Sequence, residues 1–160
     1  PITVPLGMVP ITLSVFALFL VASLLPMRVA LSATAVYLVL GAVGLPVFSS
    51  FTGGAFSFVS PSGGFLWGYL PAVFVVSFFA EKSGGRLSWV WLGTLLGLLA
   101  LYAFGVLGFC VFAEAGLGEA LLAAVLPFLL PDAVKILLVL ALFPLLYPRL
   151  SKRLLKSDLK

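Results

Sequence analysis

The sequence contains no histidine. That absence removes Ser-His-Asp and Cys-His catalysis, and any His-based metal site, in one stroke. Cysteine occurs once, at Cys110, so no internal disulfide is possible. Its apolar surroundings give Cys110 the character of a small packing residue. Charge is scarce as well. Asp, Glu, Lys and Arg make up 9% of the 160 residues, against about 25% in an ordinary soluble domain. So few charges cannot coat a surface facing water. There is no phosphate-binding loop, metal cluster or pair of neighbouring carboxylates, so an enzyme ranks last among the functional classes. No cofactor is expected.

What fills the chain instead is apolar. Hydrophobic residues account for 63% of it, and the mean hydropathy is +1.31. Apolar runs recur along the whole length, which points to one membrane domain covering 1–160. A transmembrane helix needs about 20 mostly apolar residues. Five spans are expected, at about 10–25, 29–44, 64–80, 87–112 and 131–148. The runs are too long, and too apolar on every face, for the alternating strands of a membrane barrel. The fold class is therefore all-α, a polytopic helical bundle.

The net charge of +4 does not signal nucleic acid. Five of the nine Lys and Arg residues fall in the last twelve positions, at Arg149, Lys152, Arg153, Lys156 and Lys160. Arg28 joins the first two spans, and Lys82 and Arg86 join the third to the fourth. The other connections, 1–9, 45–63 and 113–130, hold no Lys or Arg. This asymmetry places the basic side and the C-terminus in the cytoplasm. Residue 1 then lies outside. Pro1 is not Met, and nothing near it resembles a signal peptide, so the chain is expected to begin partway into a longer protein.

Two outer segments stand apart. Residues 44–64 read GLPVFSSFTGGAFSFVSPSGG, with five Gly, two Pro, five Ser and no charge. A connection of this size within a compact domain is usually functional. Its glycines, Gly53 among them, permit close backbone approach, and Phe48, Phe56 and Phe58 offer flat apolar walls. A loop that only packs against helices is the plainer alternative. The second segment, 113–131, is broken by Gly116, Gly118, Pro127 and Pro131. Residues 119–126 fit a short interfacial helix, and Pro131 suits the first turn of the last span.

Asp132 and Lys135 are the sharpest chemical signal. They are the only charges between Glu119 and Arg149, and a spacing of three puts them on one helix face. Asp132 lies in the first turn, where the helix dipole favours an anion. A charge deep in a membrane helix costs about 2.5–3.5 kcal/mol on insertion scales, so such residues usually face an interior or a wet cavity. They read as the polar floor of a ligand pocket, with an internal helix-capping pair and a snorkelling Lys135 as the alternative. Tyr102, mid-span in the fourth helix, needs a partner for its hydroxyl, in the pocket or between helices. Tyr69, Trp67, Trp89 and Trp91 read as interface anchors. Gly93 and Gly97 form a GxxxG, suited to packing inside the bundle or against a partner subunit.

Several segments carry a family resemblance. VPITL (Val9 to Leu13), YLVLGAVGLPVF (Tyr37 to Phe48), SPSGGFLWGY (Ser60 to Tyr69) and LPFLLPDAVK (Leu126 to Lys135) occur in the order found in BioY, the biotin-specific substrate-binding subunit of energy-coupling-factor transporters, and the chain resembles that family over nearly its whole length. The family's usual glutamine after its VPIT-L segment is Ser14 here, its GPTGG is SPSGG, and Ser50 stands where some members carry Asn. The resemblance implies six spans in a full member, the first of them lacking here. It also implies a partnership with a transmembrane scaffold subunit and two cytoplasmic ATPases, and a ligand site facing outward. In that site Asp132 would accept the ureido N–H groups of biotin, and Lys135 would serve its carbonyl or its carboxylate. Phe48, Phe56 and Phe58 would pack on the apolar ring, and main-chain donors around Ser62, Gly63 and Gly64 would hold the anionic tail. A subunit for another vitamin, a structural membrane subunit and a stand-alone secondary transporter remain the alternatives.

Overall fold

The computed structural model describes residues 3–4 and 11–157, with side chains over 12–150. Pro1, Val9, Pro10 and Lys160, which entered the expectations above, lie outside the described residues. A two-residue strand, β1 (Thr3–Val4), pairs antiparallel with β2 (Ile11–Thr12), Thr3 opposite Thr12. Among the described residues, six helices follow: α1 (Ser14–Leu24), α2 (Met27–Ala42), α3 (Gly63–Ser83), α4 (Leu87–Phe112), α5 (Leu117–Ala124) and α6 (Leu129–Ser157). Three short 3-10 turns, Ser49–Phe51, Ala55–Val59 and Leu126–Phe128, lie in the two long connections.

All five apolar runs are helical, and 87–112 coincides with α4. The first is shorter than its apolar run, because the β-branched pair Ile11–Thr12 is extended and joined to β1. It stops at Leu25, whose backbone is extended (φ −106°, ψ 156°), as the residue before a proline prefers. α6 starts two residues before Pro131 and continues past Pro148 to Ser157, so Pro144 and Pro148 lie inside it. α3, α4 and the α5–α6 segment are long and apolar enough to cross a membrane. α1 and α2 are apolar but shorter, with 11 and 16 residues.

α3 and α4 form the most extensive helix pair. Their glycines explain it. Gly64 lies backbone to backbone on Gly108, Gly97 on Val76 and the Ala72 carbonyl, and Gly93 on Phe79. The GxxxG of α4 thus packs within the bundle. Small residues let helix backbones approach closely where burial from water supplies no drive. α1 packs against α3 and α6, and α2 against α3. Buried hydroxyls are satisfied within and between helices: Thr34 donates to the Ala30 carbonyl of its own helix at 2.8 Å, and Ser77 of α3 to that of Ala22 in α1 at 3.1 Å. Lipid offers no substitute partner for such groups.

The outer surface is apolar. Leu130, Leu137 and Leu145 of α6 are 81%, 65% and 63% exposed. The polar side chains gather at the two ends. At one, the Met27 N–H donates to Glu81 Oε1 at 2.6 Å and Tyr147 packs on Gly85, so Arg28, Lys82, Arg86 and Arg149 share a basic end. The 44–62 connection lies at the other, and the start of α6 lies beneath it.

Candidate ligand cavity

The 44–62 connection is tied to the helices at several points. The Gly54 N–H donates to the Gly41 carbonyl at 2.7 Å, which ends α2 and anchors the loop together. Gly54 takes φ +104° to do so, a conformation open to glycine at no steric cost. The Tyr37 hydroxyl donates to the Val47 carbonyl at 3.1 Å, and the Trp67 indole N–H to the Phe58 carbonyl at 3.1 Å. Phe48, 2% exposed, sets the tip of its ring against Gly41. Its ring meets Tyr37 and Phe58 edge-on, each at 5.7 Å between centroids, and Phe58 meets Trp67 at 5.3 Å. Ser50 and Phe51 both take positive φ, 55° and 57°. A left-handed backbone costs roughly 1–2 kcal/mol per ordinary residue, and strain of this kind concentrates at ligand clamps and switch regions.

Beneath this loop is a cavity of about 420 Å³, within the 300–1,000 Å³ usual for small-molecule sites. Its floor is polar and its walls apolar. Lys135 Nζ lies 2.6 Å from Asp132 Oδ1, and the Tyr102 hydroxyl donates to Asp132 Oδ2 at 2.8 Å. Asp132 and Lys135 are only 2% and 6% exposed. Lys135 therefore does not snorkel outward. Both carboxylate oxygens of Asp132 are engaged, while the ammonium has three donors and gives one to Asp132.

The cavity wall brings together Asp132, Lys135, Phe48, Ser50, Gly53, Phe56 and Ser62 of the residues expected from sequence. The other four are placed elsewhere. Phe58 stands behind Phe48. Tyr102 reaches the floor only through Asp132, as a hydrogen bond between α4 and α6. Gly63 and Gly64 are buried packing positions: the Gly63 N–H donates to the Ser60 carbonyl at 2.7 Å, and Gly64 is pressed on Gly108. The main-chain donor of Gly63 is thus engaged in the turn that opens α3.

The wall also holds residues that sequence reasoning passed over, chiefly Tyr37, Phe65, Leu66, Tyr69 and Phe128. Tyr69 was expected at the lipid interface. It is instead 6% exposed, with Thr12 and Ser14 facing its hydroxyl. A signal for it existed, because Ser62, Leu66 and Tyr69 recur at helical spacing and share one face of α3. Among the described residues, no group of three His, Cys, Asp or Glu side chains is placed to hold a metal ion.

An all-helical bundle with a lipid-compatible surface, one basic end and a polar-floored cavity at the other defines a polytopic membrane protein built around a small-molecule site. Residues 1–152 match the family model described as the BioY family, and the chain belongs to that family. The biotin transporter BioY of Thermotoga maritima is 39% identical over 150 residues, which is 94% of this chain and 87% of that protein. The probable biotin transporter BioY of Pyrococcus horikoshii is 36% identical over 134 residues, 84% of this chain and 78% of that protein. Among solved structures, the crystal structure at 2.1 Å of the S-component for biotin from an ECF-type ABC transporter superimposes with a TM-score of 0.81 at 26% identity, covering 89% of this chain and 78% of that one.

Proposed function

We propose that this chain captures biotin and serves its uptake as the substrate-specific subunit of an ECF-type transporter. The observation that carries the reading is the buried Asp132–Lys135 pair on the floor of a 420 Å³ cavity. Biotin has a ureido ring with two N–H donors and one carbonyl, an apolar thioether ring and a carboxylate tail. An ion pair offers an acceptor and a donor side by side, which complements the ureido edge. Phe48, Phe56 and Phe65 supply apolar wall for the bicyclic ring. Charge-assisted hydrogen bonds are roughly twice as strong as neutral ones, and Asp132 and Lys135 are both buried.

The sequence holds no phosphate-binding loop, and an ECF-type subunit would work with a transmembrane scaffold subunit and two cytoplasmic ATPases, the partners that the family resemblance implies. The clustering of basic residues at one end supports a cytoplasmic location for that end and the C-terminus, with the cavity opening outward. The protein binds its ligand without converting it.

The test is calorimetric titration of biotin into the detergent-purified protein, beside Asp132→Asn and Lys135→Ala. One-to-one binding that collapses in both folded variants is expected. A folded wild-type protein that takes up no biotin would remove biotin as the ligand.

A further inference from the structure

The cavity end of the molecule has almost no positive charge. Lys135 is the only Lys or Arg between Arg86 and Arg149, and residues 1–27 and 29–81 hold none. Arg28, Lys82, Arg86 and Arg149 sit at the opposite end. Among the described residues, the one Lys or Arg lining the cavity is Lys135, and Asp132 already neutralises it at 2.6 Å.

Burial falls off steadily from the floor to the mouth. Asp132, Lys135, Leu101 and Tyr69 are buried, while Ser50, Thr52, Gly53 and Phe56 are exposed. The mouth presents hydroxyls from Ser49, Ser50, Thr52, Ser57, Ser60 and Ser62, all neutral. Ser60 donates to the Ser57 carbonyl at 2.8 Å and contacts the Ser62 hydroxyl at 3.2 Å.

A ligand carboxylate placed on the floor would meet the negative charge of Asp132 and share its cation, leaving a net negative charge buried. Placed at the mouth, it keeps water on one side and neutral hydroxyl groups on the other. We infer that the site recognises its ligand through the uncharged ring system and leaves the carboxylate at the mouth without an ion pair. Compounds whose carboxylate is neutralised as an amide, including amides extended by a bulky amine, are then ligands of the same site. This rests on the biotin reading and widens its substrate class.

The experiment is calorimetric titration of the wild-type protein with biotin, with biotin primary amide and with the amide of biotin to the side-chain amine of lysine. Loss of a hydrogen-bonded ion pair to a buried ammonium costs roughly tenfold to a hundredfold in affinity. Both amides are expected to bind within about tenfold of biotin, below that cost. Biotin binding with either amide weaker by more than this would overturn the inference and leave the biotin reading standing. A folded protein that binds none of the three would remove both. Binding of the amides alone, with biotin rejected, would overturn the biotin reading and show a site that excludes the charge outright.

Discussion

Dismantling the floor one group at a time separates its part in folding from its part in binding. Lys135→Met leaves Asp132 buried with only the Tyr102 hydroxyl as partner. Asp132→Asn leaves the Lys135 ammonium buried beside a neutral amide. Removing one partner of a buried pair costs about 3–5 kcal/mol, because the survivor is an uncompensated charge. Asp132→Asn is expected at the lower end, since the amide keeps an oxygen acceptor for one of its two neighbours. Replacing both charges with Leu and Met still strands the Tyr102 hydroxyl, at about 1–3 kcal/mol. The clean reference is therefore the triple variant Asp132→Leu, Lys135→Met, Tyr102→Phe. An apolar replacement of a whole buried network is often neutral or stabilising, so the triple variant should unfold within about 1 kcal/mol of the wild type or later. All these variants should lose biotin binding. Unfolding titrations in mixed micelles give the stabilities, and calorimetry gives the binding. Single substitutions that each cost less than about 1 kcal/mol would refute the premise that the pair is dry and mutually dependent. A triple variant as unstable as the singles would show that the network holds the bundle together, contrary to the argument.

Four further outcomes follow from particular positions. Gly41→Ala puts a methyl group into the Phe48 ring and should push that ring into the cavity. Biotin affinity should fall at least about tenfold by calorimetry, at the low end of overpacking costs. Gly64→Val sets a side chain against the Gly108 backbone and should destabilise the α3–α4 pair by about 2–3 kcal/mol. Gly118→Ala, in open space, should stabilise slightly, by about 0.5 kcal/mol; the same unfolding titration reads both. Trp67 is linked to the cavity wall through Phe58 and Phe48. A Trp89→Phe, Trp91→Phe variant should therefore keep a biotin-dependent fluorescence change, and its loss would show that the aromatic chain is not coupled to the ligand.

Hydropathy made the bundle legible, because lipid requires each spanning segment to satisfy its own backbone. The same physics made the Asp132–Lys135 floor legible, since two charges in an apolar run must have a reason to be there. Apolar bias hides what distinguishes one buried face from another. Tyr69 and Trp67 are two residues apart in the same helix, yet one lines the cavity and the other faces outward at 57% exposure. Composition treats them alike. The glycines show the same limit. Gly53, Gly63 and Gly64 all looked suited to close ligand approach, but each is close to protein backbone instead, Gly53 to the Leu45 carbonyl. Which backbone a glycine admits is decided by the tertiary partner, Phe104 and Gly108 of α4 in the case of Gly64.

The depth of the floor follows from the punctuation of 113–131. Tyr102 lies ten residues before α4 ends at Phe112, about 15 Å along the helix axis at 1.5 Å per residue. Its hydroxyl bonds Asp132, so the first turn of α6 is level with the middle of α4. A helix begun at the surface could not put its N-terminal turn there. The chain therefore turns back along α4 as the short helix α5, with Ala120 and Ala124 fully buried. It then bends at Val125 (φ −124°, ψ −55°) and passes through Leu126–Phe128 before α6 starts. Pro131 costs nothing in that first turn, where its missing N–H has no intrahelical partner. The result is the positive end of a helix dipole delivered inside the bundle, with Asp132 upon it. That partial charge favours the carboxylate where lipid alone would not, and Lys135 one turn on completes a neutral pair. The breaks in 113–131 are thus the means by which an apolar chain acquires a polar floor at half depth.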